Sequence, residues 1–178
     1  MNALKKNHFE LFSLKPAFAL DRRELDDVYR RVMSAVHPDR FTGTGASEQR
    51  LAQQLAAQAN EAYRTLAEPV SRGRYLCEIN GVDPQIESNT AMPADFLMRQ
   101  LVWRERLGEA TQTRDRGALD ELTGELAALR DEITALLATA LDTAHDYQGA
   151  ADLVRQLLFV DRFATELERA EESLAALA

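Results

Sequence analysis

A chain of 178 residues, 46% apolar and 7% aromatic, holds one ordinary domain or two small ones, each with a modest core. Its 21 Lys and Arg against 29 Asp and Glu leave a net charge of −8, unevenly spread: residues 1–76 carry 12 basic and 9 acidic side chains, residues 77–178 carry 9 and 20. An acidic second half excludes a general grip on nucleic-acid phosphates, which needs clustered Lys and Arg, and the asymmetry points to two units with different partners.

The N-terminal stretch "MNALKKNHFELFSLKPAF" has two lysines, but Glu10 and Lys15 interrupt the apolar runs that follow, so it is not expected to be a secretory signal. No apolar run approaches the roughly 20 residues that a membrane helix needs. Cys77 is the single cysteine, which excludes an intramolecular disulfide and a thiolate cluster for zinc or iron–sulfur on one chain. It reads as a small apolar residue in a helix. A reducing, cytoplasmic setting is expected, with no membrane and no bound cofactor.

Taken in chain order, a short apolar segment (Phe9, Leu11, Phe12, Leu14) precedes "ALDRREL", a helix start in which Asp21 caps the first turn, Glu24 reaches back, and Leu20 staples to Leu25. Leu25, Val28, Val32 and Val36 recur at helical spacing and define one buried face. The helix must end near His37, because Pro38 disfavours the α conformation in the residue before it. After the polar loop "RFTGTGASEQ", Leu51, Leu55, Ala59, Ala62, Tyr63 and Leu66 mark a second long helix, antiparallel to the first, and Pro69 breaks the chain beyond it. "VSRGRYLCEING" reads as a short helix closed by Gly81, and the aperiodic "VDPQIESNTAMP" as a linker.

Three further helical patterns follow. In the middle one Leu119, Leu122, Leu126, Leu129, Ile133, Leu136 and Ala140 alternate steps of three and four, the seam of a helix packed lengthwise in a bundle. The last, from about Ala150, uses Leu153, Leu157, Val160, Phe163, Ala164 and Leu167. No stretch alternates with period two long enough for a sheet, so the expected fold class is all-α.

Two motifs and a histidine set could carry function. The first is His37-Pro38-Asp39, followed by Arg40, in the loop of the helical hairpin, with Tyr29, Arg30 and Arg31 one to two turns upstream as a positive surface leading into it. Taken alone, the tripeptide could be a helix stop and a capped turn. Asp39 as a general base has no nucleophile, phosphate loop or metal-ligand set beside it in the sequence, which argues against catalysis in its own right. The second motif is "DFLMRQLVWRERL", residues 95–107. On a wheel advancing about 100° per residue, Phe96, Trp103 and Leu107 share one side and Leu97, Met98, Leu101 and Val102 the other. A bundle helix needs one such stripe, so the second is either a broad core face or an exposed patch for another protein. His8, His37 and His145 offer no i, i+4 metal pair; His8 and His145 read as surface or capping residues, and no metal site is expected.

"HPDRF" between two antiparallel helices, with "NEAYRTL" downstream, resembles a J-domain, the module that stimulates ATP hydrolysis by seventy-kilodalton heat-shock chaperones. With "HFELFSL" at the start and "EPVSRGRYLCEINGVD" after the second helix, the chain resembles, over nearly its whole length, the HscB type of J-protein of iron–sulfur cluster biogenesis. The resemblance implies an L-shaped molecule: a J-domain over 1–76, a connecting helix end and linker over 77–92, and a three-helix bundle over 93–178. It implies an activator rather than an enzyme, whose Asp39 engages an arginine-centred network on an HscA-type chaperone while His37 and Pro38 shape the loop. It also implies that Leu97, Met98, Leu101, Arg104 and Glu105, with Phe159 of the last helix, contact the cluster scaffold IscU, and that at Val102, where relatives can carry an acid, the contact is either lost or made apolar. Asp26 and Asp27 depart from the family by diluting a helix that members usually make basic. The cysteine-rich segment that some eukaryotic members carry ahead of the J-domain is not expected. The rival within the resemblance is a general J-protein holding clients for a DnaK-type chaperone, but such proteins usually have Gly/Phe-rich and zinc-binding segments, which this sequence does not contain.

Overall fold

A computed structural model describes residues 6–37, 45–86, 88 and 91–176. Among them every regular element is helical: α1 (His8–Leu11), α2 (Arg22–Val36), α3 (Ala46–Ala67), α4 (Pro69–Ile79), α5 (Ala94–Thr113), α6 (Arg116–Ala138) running into a π-helical segment (Thr139–Ala144), and α7 (Tyr147–Ala176).

Asp21 caps α2 by accepting from the Arg23 amide at 2.8 Å. The reciprocal capping box forms one element earlier, where the Asn7 side chain accepts from the Glu10 amide and the Glu10 carboxylate accepts from the Asn7 amide. Polar contacts show α2 and α3 to be antiparallel: Arg22 reaches the Ala67 carbonyl and the Tyr63 hydroxyl, Asp26 accepts from Tyr63, and Tyr29 donates to Asn60. Leu25 and Val28 are buried between them, with Val32 and Val36 only half-buried toward the loop. On α3 the buried stripe is Ala52, Ala56, Ala59, Ala62 and Leu66. Ala59, Ala62 and Leu66 are buried as expected, but Leu51, also expected in the core, is exposed: small alanines let the helices approach closely, and in its first half the stripe runs one residue later than Leu51 and Leu55 suggest.

Pro69 has no N–H to donate back into α3, which leaves the last carbonyls of that helix without their usual donors. Two arginines supply them: Arg22 donates to Ala67 O at 3.1 Å and Arg72 to Leu66 O at 2.6 Å. The next helix, α4, then packs on both α3 and α7. Gly73 makes the closeness possible, since a Cβ there would stand 3.0 Å from Val154 Cγ2 and 3.5 Å from Phe18 Cε2. Gly81, at φ +84°, closes α4 as expected: its amide donates to Glu78 O and that of Val82 to Cys77 O, the two bonds of a Schellman motif.

In the second half α6 and α7 pair lengthwise. Leu119, Leu122, Leu126, Leu129 and Ile133 are buried as the heptad reading requires, but the next buried residues are Leu137 and Leu141, while Leu136 is 47% exposed. A straight α-helix lags a strict heptad by about 20° per repeat, and the wider turns at Thr139–Ala144 add to the lag, so the inward position moves to a later residue. His145 ends the π segment in the left-handed region at φ +53°, and α7 starts at Tyr147, three residues ahead of the expected Ala150, with the Asp146 carboxylate just before it accepting from the Gly149 amide at 2.9 Å. His145 thus caps, as expected. His8 instead is half-buried and stacks on Tyr75 with ring centroids 4.2 Å apart, a correction to its reading as a surface residue: α1 lies too close to α4 for it to face water.

Candidate functional site

The hairpin end is the first candidate. His37 is exposed and is the C-cap of α2, its extended backbone (φ −60°, ψ 129°) fitting the restriction that a following proline imposes. Pro38, Asp39 and Arg40 lie outside the described residues. Upstream, Tyr29 is half-buried between the two helices, stacked on Tyr63 at 4.2 Å and edge-on to Phe12, so it braces the hairpin rather than extending its charged face. Arg30 and Arg31 are exposed. Arg30 pairs with Asp27, and Arg22 with Asp26 at 3.0 Å, so both aspartates that interrupt the basic helix spend themselves on its arginines. A hydrogen bond from Tyr63, with help from Arg22, holds the Asp26 carboxyl below the usual carboxylate range.

The second candidate is α5. Phe96, Trp103 and Ala110, seven residues apart, are buried, and an aromatic chain fastens the helix to α7: Phe96 meets Phe159 edge-on at 5.7 Å, Trp103 stacks on Phe163 at 6.0 Å, and Phe159 stacks on Phe163 at 5.9 Å. With one face so anchored, Leu97, Met98, Leu101 and Val102 are left 46%, 62%, 51% and 46% exposed. These four are the second apolar stripe expected from the helical wheel, and they stand in solvent rather than in a broad core. Arg104 and Glu105 are exposed beside them, the Arg104 guanidinium 6.0 Å over the ring of half-buried Phe159. The seven residues expected to meet a scaffold therefore share one surface of α5 and α7.

That surface is a ridge between two clefts. One, of about 560 Å3 between α5 and α6, is lined by Met98, Val102 and Trp103 with Arg106 and Glu125. The other, of about 520 Å3, lies against α7, Ile86 and Met92. Its deepest charged group, Arg155, was not foreseen: the only buried polar side chain among the described residues, it donates to the carbonyl of Pro84 at 2.9 Å and pairs with Asp152. A guanidinium placed one turn after Ala151 on the inward side of α7 was the sequence signal. Among the described residues no group of three or more His, Cys, Asp or Glu could hold a metal ion, and no helix is long and apolar enough to cross a membrane. Burial pushes the Cys77 thiol up to about 11, and its Sγ lies 3.6 Å from Tyr147 O.

A co-chaperone protein HscB homolog from Burkholderia thailandensis is 49% identical over 94% of this chain and 95% of its own length. The chain belongs to the HscB co-chaperone family. A second HscB homolog, from Burkholderia vietnamiensis, is also 49% identical with the same coverage, and residues 92–168 match the family described as the HSCB C-terminal oligomerisation domain. Chaperone HscB from Vibrio cholerae superposes with a TM-score of 0.83 at 33% identity, covering 95% of this chain and 99% of that one. The human co-chaperone HscB, 24% identical, shares the fold at a TM-score of 0.86 over 94% of this chain and 83% of its own. HscB co-chaperones are regulators.

Proposed function

We propose that this chain couples two proteins of iron–sulfur cluster assembly in the cytoplasm. Its N-terminal hairpin, residues 1–76, stimulates the ATPase of an HscA-type chaperone through His37, Pro38, Asp39 and Arg40, with Arg30 and Arg31 as the charged approach. Its C-terminal bundle, residues 93–178, carries an IscU-type scaffold on Leu97, Met98, Leu101, Val102, Arg104, Glu105 and Phe159. A carboxylate presented on a stiff hairpin biases a two-state chaperone toward the arrangement it binds better. Holding the scaffold on the same molecule raises its effective concentration at the chaperone, which promotes cluster transfer to acceptor proteins without catalysis by this chain.

The observation that carries the reading is the exposed apolar strip Leu97-Met98-Leu101-Val102, a costly feature for a helix already anchored through Phe96 and Trp103 unless a partner covers it. Titration of the scaffold into native protein and into a Leu97→Ala/Met98→Ala/Leu101→Ala variant tests it. Buried apolar anchors of this kind are each worth about 1–2 kcal/mol, so the variant binds at least a hundredfold more weakly; equal affinities would remove the scaffold from this face.

A further inference from the structure

Residues 77–178 have 9 arginines and no lysine among 20 acids, and among the described residues three of those arginines are ion-paired: Arg106 with Glu125 at 2.8 Å, Arg130 with Asp161 at 2.7 Å, and Arg155 with Asp152. The cleft of about 520 Å3 has a charge balance of its own. Three of the nine, Arg104, Arg155 and Arg162, line it together with Ile86, Leu158 and Phe159, and no carboxylate is among its described lining residues. Its neighbour across the α5 ridge is lined by Arg99 and Arg106 but also by Glu125 and Glu132, and so has no preferred sign.

We propose that this cleft receives an acidic segment of the scaffold partner, a carboxylate side chain flanked by apolar residues, clasped by Arg104 and Arg162 over the fixed charge of Arg155. The proposal rests on the scaffold reading above and extends it from the apolar strip into the adjoining cleft. Continuity supports it, since Leu97 of the strip and Arg104 beside it also line the cleft. Arg155 is 7% exposed and held by Pro84 O and Asp152, with its Nε–H lacking an acceptor; its position is therefore set before any partner arrives. Arg104 and Arg162 are exposed at the mouth and, among the described residues, make no ion pair. Planar guanidiniums over an apolar floor suit a carboxylate better than ammonium groups do, and an acid-rich bundle that reserves a positive cleft for its partner repels other acidic proteins while orienting this one.

The test is calorimetric titration of the scaffold into the full chain at low and physiological salt. Arg162→Gln is expected to weaken binding about three- to tenfold at low salt and to flatten the salt dependence. Arg162→Lys, which keeps the charge but not the planar fork, should fall between native and Arg162→Gln, and Arg169→Gln, an exposed arginine of α7 outside the cleft, should match native. Thermal unfolding of each variant shows that the fold is intact. If the Leu97/Met98/Leu101 variant loses binding while Arg162→Gln matches native at both salts, the cleft assignment fails and the strip survives. An Arg169→Gln loss equal to that of Arg162→Gln would also overturn it, by reducing the effect to net charge. If native protein fails to bind the scaffold, both readings fall.

Discussion

The carboxylate of Asp142 accepts from the backbone amide of Phe18 at 2.6 Å, and its second oxygen accepts from that of Ala19 at 2.8 Å. Residues 124 apart in sequence are thus joined where the segment before α2 meets the π-helical turns after α6. Arg72 adds to the junction, its guanidinium 5.0 Å over the Phe18 ring and its charge opposed by burial but favoured by Asp142. The contact fastens the segment ahead of α2 to the turns that follow α6.

Asp142→Ala leaves two amide donors without their acceptor, the Phe18 one in a part-buried place. An unmet buried donor costs about 1–3 kcal/mol, so the variant should unfold at lower urea by that amount, with Asp142→Asn, which keeps one acceptor oxygen, falling between. A native-like midpoint for Asp142→Ala would show the junction to be ornamental.

Two glycines should respond in opposite ways. At Gly73 any added side chain meets Val154 and Phe18, and overpacking there should make Gly73→Leu less stable by about 1–3 kcal/mol. Gly124, exposed on α6 with nothing within 4 Å of a built Cβ, loses only its helix penalty, so Gly124→Ala should gain about 1 kcal/mol. Denaturant melts of the pair measure both.

His8 stands below its ordinary value because burial against Tyr75 disfavours the imidazolium, with Glu61 pulling weakly the other way. The unfolded chain then binds the proton more readily than the native one. The contribution to stability is complete above the unfolded value of 6.5 and is lost as pH falls from there through the depressed folded value. Urea midpoints at pH 7.5 and 5.5 should differ more for native protein than for His8→Phe, which keeps a ring on Tyr75 and cannot titrate; an identical pH dependence in the two would contradict this.

With its thiol raised to about 11 and buried, Cys77 should resist alkylation at pH 8 in the folded chain and react within minutes in urea. Its labelling rate then reports opening of the α4 junction, and fast labelling of native protein would place the sulfur in solvent.

Helices, hairpin and exposed α5 stripe were all legible because each rests on local periodicity: Phe96 and Trp103 seven apart on one side, Leu97 and Leu101 four apart on the other. What escaped depends on neighbours distant in sequence. Leu51 and Leu136 look like core residues until the close α2–α3 approach and the π turns shift the buried stripes past them. Gly73, Asp142 and Arg155 are single polar or small residues whose purpose appears only when Phe18, Val154 and Pro84 arrive from elsewhere in the chain. Tyr29 reads as a surface residue beside two arginines, yet Tyr63 and Asn60 claim it.

The account's central claim is that one molecule works through both ends, and steady-state ATP hydrolysis by an HscA-type chaperone, with and without the scaffold, tests it most directly. Native protein and scaffold should stimulate together, Asp39→Asn should abolish stimulation altogether, and the Leu97/Met98/Leu101 variant should lose only the scaffold-dependent part. Stimulation that survives Asp39→Asn, or a scaffold effect untouched by the triple variant, would contradict it.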